Sequence, residues 1–135
     1  MDFATACMSV KTSSLLSTGR EHPGMDTDIC EVVITAGDAA ALASLTRTLV
    51  EERLAACGQN IASVRSIYRW EGMVQDDPEA RVGIHTRTAL VPELVERVKS
   101  LHSYDLPCII ALPVIAGNPA YLDWVRAETR EPRPG

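Results

Sequence analysis

His102 and Asp105 have the types and spacing of a metal-binding turn. A neutral imidazole is a good ligand for copper and zinc, and a carboxylate in the same turn can ligate the ion or orient the imidazole. The alternative is that His102 only hydrogen-bonds the loop that follows a helix. One imidazole and one carboxylate make a weak site, because firm binding usually takes three or four protein ligands. We therefore predict modest affinity for Cu(II) or another divalent cation, with further ligands from another subunit.

Cys57 and His85 are the candidates for those further ligands. Cys57 follows a predicted helix, and a helix C-terminus disfavours a thiolate, so a buried structural cysteine is the stronger alternative. His85 falls within an alternating strand, where a surface or interface histidine is the stronger alternative. The candidate metal ligands are therefore His102, Asp105, Cys57 and His85.

Aromatic side chains indicate a second candidate site, a ligand pocket between subunits. Ligand sites favour such interfaces and aromatic walls, and the candidate lining is Tyr68, Trp70, Glu71, Tyr104 and Trp124. The alternative is that these side chains only fill the core of an oligomer. No Ser-His-Asp or Cys-His pairing, phosphate-binding glycine loop, HExxH or CxxC motif stands out in the sequence. We predict a binding protein and not an enzyme.

The composition is that of an ordinary soluble globular protein. The chain has 135 residues, 46% hydrophobic and 23% charged, enough for one domain with its own core. The net charge of −5 argues against nucleic-acid binding, which needs a basic surface. No apolar run reaches the ~20 residues of a membrane helix, so no membrane partner is expected. The widely spaced cysteines favour reduced thiols in the cytoplasm; they are Cys7, Cys30, Cys57 and Cys108.

The chain is organised around a long β-hairpin with its turn at Glu71-Gly72. The outgoing strand, residues 61–71, is rich in β-branched and aromatic residues and would span roughly 36 Å at ~3.3 Å per residue. The return strand, residues 79–87, alternates, and one of its faces carries Ala80, Val82, Ile84 and Thr86. Two helices on a small sheet cannot cover that length. The overhanging apolar end predicts assembly with other chains.

The first helix follows a buried strand at residues 29–35. Asp38 has the type of an N-cap, and Gly58 is the predicted residue just past the helix end. The predicted buried face consists of Leu42, Leu45, Leu49, Val50 and Leu54.

Two more helices and a strand complete the pattern. A helix over about residues 89–101 precedes a strand at residues 108–114, and Asn118 caps a last helix that begins at Pro119. The predicted buried face of the helix at 89–101 consists of Leu94, Val95, Val98 and Leu101.

The order β-α-β-β-α-β with an extra C-terminal helix predicts an α+β, ferredoxin-like fold. Right-handed crossovers put both main helices on one face of the sheet. Residues 25–130 form this domain. Residues 1–24 are small, polar and without apolar periodicity, which predicts a disordered extension, and the proline-rich residues 131–135 predict a flexible tail.

The motifs in this frame resemble those of the CutA divalent-cation tolerance family. They occur in the family order over about residues 29–128 and are Thr35-Ala36, LVEERLAAC at 49–57, SIYRWEG at 66–72, HSYD at 102–105, ALP at 111–113 and GNPAYLDW at 117–124. The resemblance implies a stable cytoplasmic homotrimer, joined through its hairpins like the nitrogen-regulatory P-II proteins. It also implies a link to tolerance of copper and other divalent metals, without an agreed enzymatic activity. A P-II-like signalling scaffold, which takes a small molecule or a partner protein between subunits, is the alternative function.

The chain departs from the family pattern near its candidate ligands. The family usually has His-Pro-Tyr-Glu where this chain has HSYD at 102–105. Some members carry a thiol near the end of the first strand and a second histidine before this motif, at positions that are here Ile34 and Leu101. Of the ligand set that the resemblance implies, this chain retains His102.

Overall fold

Residues 28–134, which the computed structural model describes, form a four-stranded antiparallel sheet with three helices. The elements are β1 Ile29–Ala36, α1 Ala39–Glu51, β2 Cys57–Trp70, β3 Met73–Arg87, α2 Val91–Leu101, β4 Ile109–Pro113 and α3 Pro119–Glu128. A 3₁₀ turn, Thr88–Leu90, precedes α2, and the strand order is β2-β3-β1-β4. This is the predicted α+β ferredoxin-like fold. The predicted extension, residues 1–24, lies outside the described residues.

The main core lies between one face of the sheet and the helices α1 and α2. Alternate residues of β1 and β3 face it, because successive side chains of a strand point to opposite sides. Burial of this apolar surface is the main stabilising term of the domain. The core includes Val32, Ile34, Leu42, Leu49, Val82, Ile84, Leu94 and Val98.

Helix α1 begins as predicted and ends earlier than predicted. The Asp38 side chain accepts the N–H groups of Ala40 and Ala41. The helix stops at Glu51, and Arg53 then takes a left-handed conformation with φ of 61°. The prediction that Gly58 follows the helix end is therefore wrong, because Gly58 lies within β2.

Gly58 is required for close packing and not for capping. A Cβ atom at this position would lie 2.3 Å from Cγ2 of Thr46 on α1. The glycine thus lets β2 run directly beneath the helix, which is a second common reason for glycine in a strand.

Two predicted core residues are exposed. Val50 follows the buried Leu49 and is turned away from the sheet, and Leu101 is the last residue of α2, beyond the edge of the core. Both corrections concern helix ends, where a periodic pattern does not show how far the packing partner extends.

The β2–β3 hairpin overhangs the domain, as its length predicted. Its strands have 14 and 15 residues, and no residue from 61 to 79 is buried. Ile67 is 63% and Met73 67% exposed. Ile61 pairs with Arg81 but Val64 pairs with Glu79, so β2 carries a β-bulge with one extra residue.

Helix α3 packs against the other face of the sheet from α1 and α2. Its Tyr121 and Val125 form a smaller apolar cluster with Ile29 and Ala56. No helix within residues 28–134 is long and apolar enough to cross a membrane.

Candidate functional site

Cys57, His85 and Glu31 lie side by side across three adjacent strands, and we call them the thiol–imidazole row. Cys57 on β2 is the register partner of His85 on β3, which is the partner of Glu31 on β1. Such partners project to the same face of a sheet, here the face on which α3 packs. Sγ of Cys57 is 3.5 Å from Nδ1 of His85, and Nε2 of His85 is 3.1 Å from Oε1 of Glu31.

Glu31 sets the orientation of the His85 ring. An ionised carboxylate only accepts hydrogen bonds, so Nε2 carries the proton that it donates to Glu31. Gly83 leaves room for this carboxylate, because a Cβ atom there would lie 2.8 Å from Oε1 of Glu31. The other ring nitrogen, Nδ1, faces the sulfur of Cys57.

Tyr121 adds an oxygen to the row from α3. Asn118 accepts the N–H of Ala120 and so caps this helix one turn before Tyr121. The Tyr121 hydroxyl is 2.5 Å from Nδ1 of His85 and 3.3 Å from Sγ of Cys57. Sulfur, nitrogen and phenolic oxygen therefore form a small triangle on the surface of the sheet.

The protonation states of Cys57 and His85 are coupled. Burial by itself would raise the pKa of Cys57, but hydrogen bonds with His85 and Tyr121 together outweigh burial and lower that pKa. The hydrogen bond with Cys57, and more weakly Glu31, raise the pKa of His85 against the opposing effect of burial. Both shifts favour a thiolate beside an imidazolium.

The sulfur of Cys57 and Nδ1 of His85 have the separation of a metal-chelating pair. Zinc–sulfur and zinc–nitrogen bonds of ~2.3 and ~2.05 Å at a tetrahedral angle separate the two ligand atoms by about 3.5 Å. Cys57 and His85 have this separation. No group of three His, Cys, Asp or Glu side chains within residues 28–134 could hold a metal ion, since Glu31 binds the far side of the imidazole. The third donor available at this point is the oxygen of Tyr121.

His102 and Asp105 lie away from this row. Nε2 of His102 donates to the carbonyl of Thr35 over 2.7 Å, and Nδ1 accepts the N–H of Tyr104 over 3.0 Å. Both ring nitrogens are therefore engaged within the chain. Thr35 and Glu31 are four positions apart on β1, or roughly 13 Å along a strand. Metal ligation by His102 and Asp105 remains a prediction, and within one chain these residues do not join the row.

The predicted pocket residues fall in three places. A cavity of about 590 Å³ beside the hairpin is lined by Tyr68, Trp70 and Tyr104, together with Asp105. Glu71 lies in the hairpin turn. Trp124 stacks on Tyr121 with ring centroids 5.6 Å apart, next to the thiol–imidazole row.

Sequence reasoning named Cys57 and His85 separately and missed Glu31 and Tyr121. The alternation of β3 shows which face His85 occupies, but its neighbours are set by strand register across 28 and 54 residues of chain. A usable signal was present in Gly83, since a glycine within a regular strand often marks the close approach of another group.

The fold and this site define a small α+β protein with a ferredoxin-like domain, an overhanging hairpin and a thiol-containing candidate metal centre. The profile of the family described as CutA1 divalent ion tolerance protein matches residues 30–128. The chain belongs to this family, as the motifs predicted.

Relatives support the assignment. The divalent-cation tolerance protein CutA of Thermus thermophilus is 46% identical over 98 residues, which cover 73% of this chain and 95% of the relative. The chloroplastic protein CutA 1 of Oryza sativa is 39% identical over 119 residues, covering 88% of this chain and 67% of that protein. The solved structure of the Thermus thermophilus protein matches with a TM-score of 0.74 at 44% identity, over 76% of this chain and 99% of that structure.

Proposed function

We propose that this chain acts in divalent-cation tolerance by binding a transition-metal ion at Cys57 and His85. One observation carries the proposal: their ligand atoms are 3.5 Å apart, while the other ring nitrogen of His85 is held by Glu31. A carboxylate that orients a ligating histidine in this way is a recurrent feature of metal sites. The Tyr121 oxygen, 3.3 Å from the sulfur, is the proposed third donor, which the metal would gain in place of the 2.5 Å hydrogen bond between this oxygen and Nδ1 of His85.

The donor set selects the class of cation. A thiolate and an imidazole favour copper and zinc over magnesium or calcium, which prefer oxygen ligands. Cu(II) heads the affinity order of the divalent first-row metals. Because one thiolate, one imidazole and one phenol form a small donor set, the expected affinity is modest. The proposed role is binding and not catalysis.

The proposed assembly is a homotrimer in the cytoplasm. The overhanging hairpin supports it, because a long exposed apolar hairpin is usually covered by another chain. β4, at the other edge of the sheet, also exposes Ile110 and Leu112. The unpaired thiols of Cys30, Cys57 and Cys108 support a reducing compartment.

Titration with Co(II) and Cu(II) tests the metal site. Co(II) bound through a thiolate develops a sulfur-to-metal charge-transfer band, and calorimetry gives the affinity for Cu(II). Cys57→Ser and His85→Ala should each lower Cu(II) affinity by at least about tenfold, or about 1.4 kcal/mol, and Cys57→Ser should remove the Co(II) band.

Two matched controls locate the site. Cys108→Ser removes an exposed thiol outside the row. His102→Ala removes the imidazole whose nitrogens bond the backbone of Thr35 and Tyr104. Both should keep the affinity of the unmodified protein. Loss of binding in His102→Ala, with full binding in Cys57→Ser, would instead place the metal at His102 and Asp105.

The aromatic cavity favours the alternative function, a P-II-like scaffold that binds a small molecule. Tyr68, Trp70 and Tyr104 converge there without any residue of the thiol–imidazole row. If the protein binds a small molecule at this cavity and does not bind metals, the scaffold function would be supported over the metal-binding function.

A further inference from the structure

Helix α3 covers the donor atoms of the proposed metal site. The Tyr121 hydroxyl lies 2.5 Å from Nδ1 of His85 and 3.3 Å from Sγ of Cys57, so both donors face this phenol. Tyr121 is 8% exposed and packs in one cluster with Ile29 and Val125. Because its ring is enclosed between α3 and the sheet, displacing the phenol means displacing the helix.

A cation that uses Nδ1 must first displace this phenol. Metal–nitrogen and metal–oxygen bonds of ~2.05 Å at a tetrahedral angle hold the two ligand atoms about 3.3 Å apart. The Tyr121 oxygen, 2.5 Å from Nδ1 of His85, must therefore retreat by about 0.8 Å before it can act as a third donor. Entry of a cation thus requires α3 to move away from the sheet.

Two arginines hold the C-terminal end of α3, and we call them the arginine clasp. The Arg53 guanidinium, from the loop after α1, donates to the carbonyl of Ala127 over 2.7 Å, and its own carbonyl accepts the N–H of Arg130 over 2.9 Å. Arg87, the last residue of β3, donates to the hydroxyl and the carbonyl of Thr129 over 3.0 and 3.3 Å, and also to the carbonyl of Arg130. The last carbonyls of a helix have no partner within it, so cationic donors stabilise this end.

The two halves of the clasp differ in burial. The Arg87 side chain is 14% exposed and its partner Thr129 is buried, where hydrogen bonds from a charged donor are strong. Arg53 is exposed and takes a left-handed conformation with φ of 61°. That conformation is unfavourable for a residue with a side chain, and the two hydrogen bonds to the end of α3 offset its cost.

The clasp belongs to the same segments as the metal donors. Arg87 follows His85 by two residues on β3, so both side chains point to the face that carries α3. Arg53 precedes Cys57 by four residues. Arg130 extends the tie to α2, because its Nη2 lies 2.6 Å from Oε2 of Glu93. The end of α3 is therefore tied to the segments that present Nδ1 and Sγ.

We propose that α3 is a gate over the donor atoms of Cys57 and His85, and that the arginine clasp sets how often this gate opens. The proposal rests on the proposed metal-binding function and adds its regulation. The contacts of the clasp lie within one chain, so the gate does not depend on a surface that another copy would cover. Loosening the clasp should speed both the entry and the release of a cation, whereas losing a ligand would lower affinity.

Alkylation of Cys57 by iodoacetamide measures the opening of the gate without a metal. Peptide mass spectrometry follows each cysteine separately, and the exposed Cys108 is the internal reference. Arg87→Lys keeps the charge near Cys57 but loses the planar group that binds several acceptors at once. It should raise the rate of Cys57 alkylation, relative to Cys108, at least about fivefold, as expected from the loss of a hydrogen bond.

Two further variants keep the test decisive if Arg87→Lys does not fold. Arg53→Gln alters the exposed half of the clasp and should raise the rate of Cys57 alkylation about threefold. Arg97→Gln removes an arginine–carboxylate pair on α2, 2.7 Å from Glu52, and should leave that rate unchanged. Equal rates in the unmodified protein and the folded clasp variants, or the same increase in Arg97→Gln, would overturn the proposal.

Stopped-flow uptake of Co(II) connects the gate to the metal. In the clasp variants the sulfur-to-cobalt band should appear, and disappear on addition of EDTA, at least about threefold faster, while the affinity stays nearly the same. A normal band with unchanged rates would overturn the gate and leave the metal-binding function. Faster alkylation of Cys57 in the clasp variants, in a protein that shows no Co(II) band, would support the gate and contradict the metal-binding function.

Discussion

At the scale of single residues, the behaviour of His85 depends on which groups touch its two nitrogens. Glu31 accepts a hydrogen bond from the N–H of Nε2, and Cys57 and Tyr121 lie at Nδ1. His102 has both nitrogens bonded to backbone groups of its own chain. The imidazole of His85 thus contacts side chains at both nitrogens, and the imidazole of His102 holds two backbone segments together.

Glu31→Ala should lower metal affinity about 10–100-fold, because the carboxylate orients the ligating ring without touching the metal. Calorimetric titration with Cu(II) measures the change. Glu31→Gln retains a carbonyl oxygen that can accept from Nε2 and should recover part of the affinity. Glu96→Ala is the matched control, because it removes a carboxylate from the exposed side of α2.

Unchanged affinity in Glu31→Ala would show that the row does not bind the metal. Equal losses in the Glu31 and Glu96 variants would show a general charge effect and would contradict a positioning role for Glu31.

The sequence was sufficient to nominate Cys57 and His85 by their chemistry. It was insufficient to pair them, because a one-residue change of register turns a strand's side chains to the opposite face. Tyr121 reaches the row only because α3 packs on the side of the sheet away from α1 and α2. No periodicity in the α3 segment predicts that side.

At the scale of the elements, the packing of α1 on β2 depends on Gly58. Gly58→Ala should destabilise the protein by about 1–3 kcal/mol, the typical cost of overpacking, because the new Cβ would lie 2.3 Å from Cγ2 of Thr46. Denaturant unfolding measures this change.

Thr46→Ser offers a matched rescue. It removes the obstructing methyl group and keeps the hydroxyl that donates to the carbonyl of Leu42. In a double-mutant cycle the two substitutions should cost less together than the sum of their separate effects. Strict additivity would contradict this account of Gly58.

The ion pair between Asp28 and Arg126 ties the start of β1 to α3. Oδ2 and Oδ1 of Asp28 lie 2.6 and 2.8 Å from the guanidinium, whose hydrogen bond lowers the pKa of Asp28. The stabilisation is therefore complete above the unfolded pKa of ~3.9 and is lost as pH falls through the folded pKa. Both side chains are more than a third exposed, so the pair contributes below about 1 kcal/mol.

Asp28→Asn should lower the melting temperature at pH 7 by up to about 4 °C, and the difference from the unmodified protein should shrink below about pH 3. Thermal unfolding followed by circular dichroism between these pH values measures both. Arg126→Gln should show the same pattern. A difference that does not change with pH would mean that the charge of Asp28 contributes nothing.

Element types were predictable because their periodicities and caps are local. Asp38 and Asn118 cap their helices as expected, and the turn at Glu71-Gly72 has positive φ at both residues. Element ends were less predictable, because the end of α1 depends on where β2 approaches the helix. Gly58, which was expected to follow the helix end, instead allows β2 to pack closely against α1.

At the scale of the whole molecule, the exposed apolar residues of the hairpin lead us to predict that the protein assembles with other copies of itself. The protein should have the mass of a trimer at micromolar concentration, measured by light scattering after size exclusion. Ile67→Asp with Val74→Asp, at two positions that are each 63% exposed, should dissociate it because a buried charge without a partner is costly. Arg69→Ala on the same hairpin should not. A monomeric mass for the unmodified protein would contradict the prediction.

The bulge in β2 has a consequence for how the two sites share the molecule. Before it, the odd-numbered Cys57 faces the same side of the sheet as His85; after it, the even-numbered Tyr68 and Trp70 share that side with Glu79. Removing Ser63, which lies in the bulge with φ of 102°, would leave a regular strand in which Cys57, Tyr68 and Trp70 keep their partners on β3 and their side of the sheet. The extra residue therefore sets the local bend and twist of β2, and not the face that its side chains occupy.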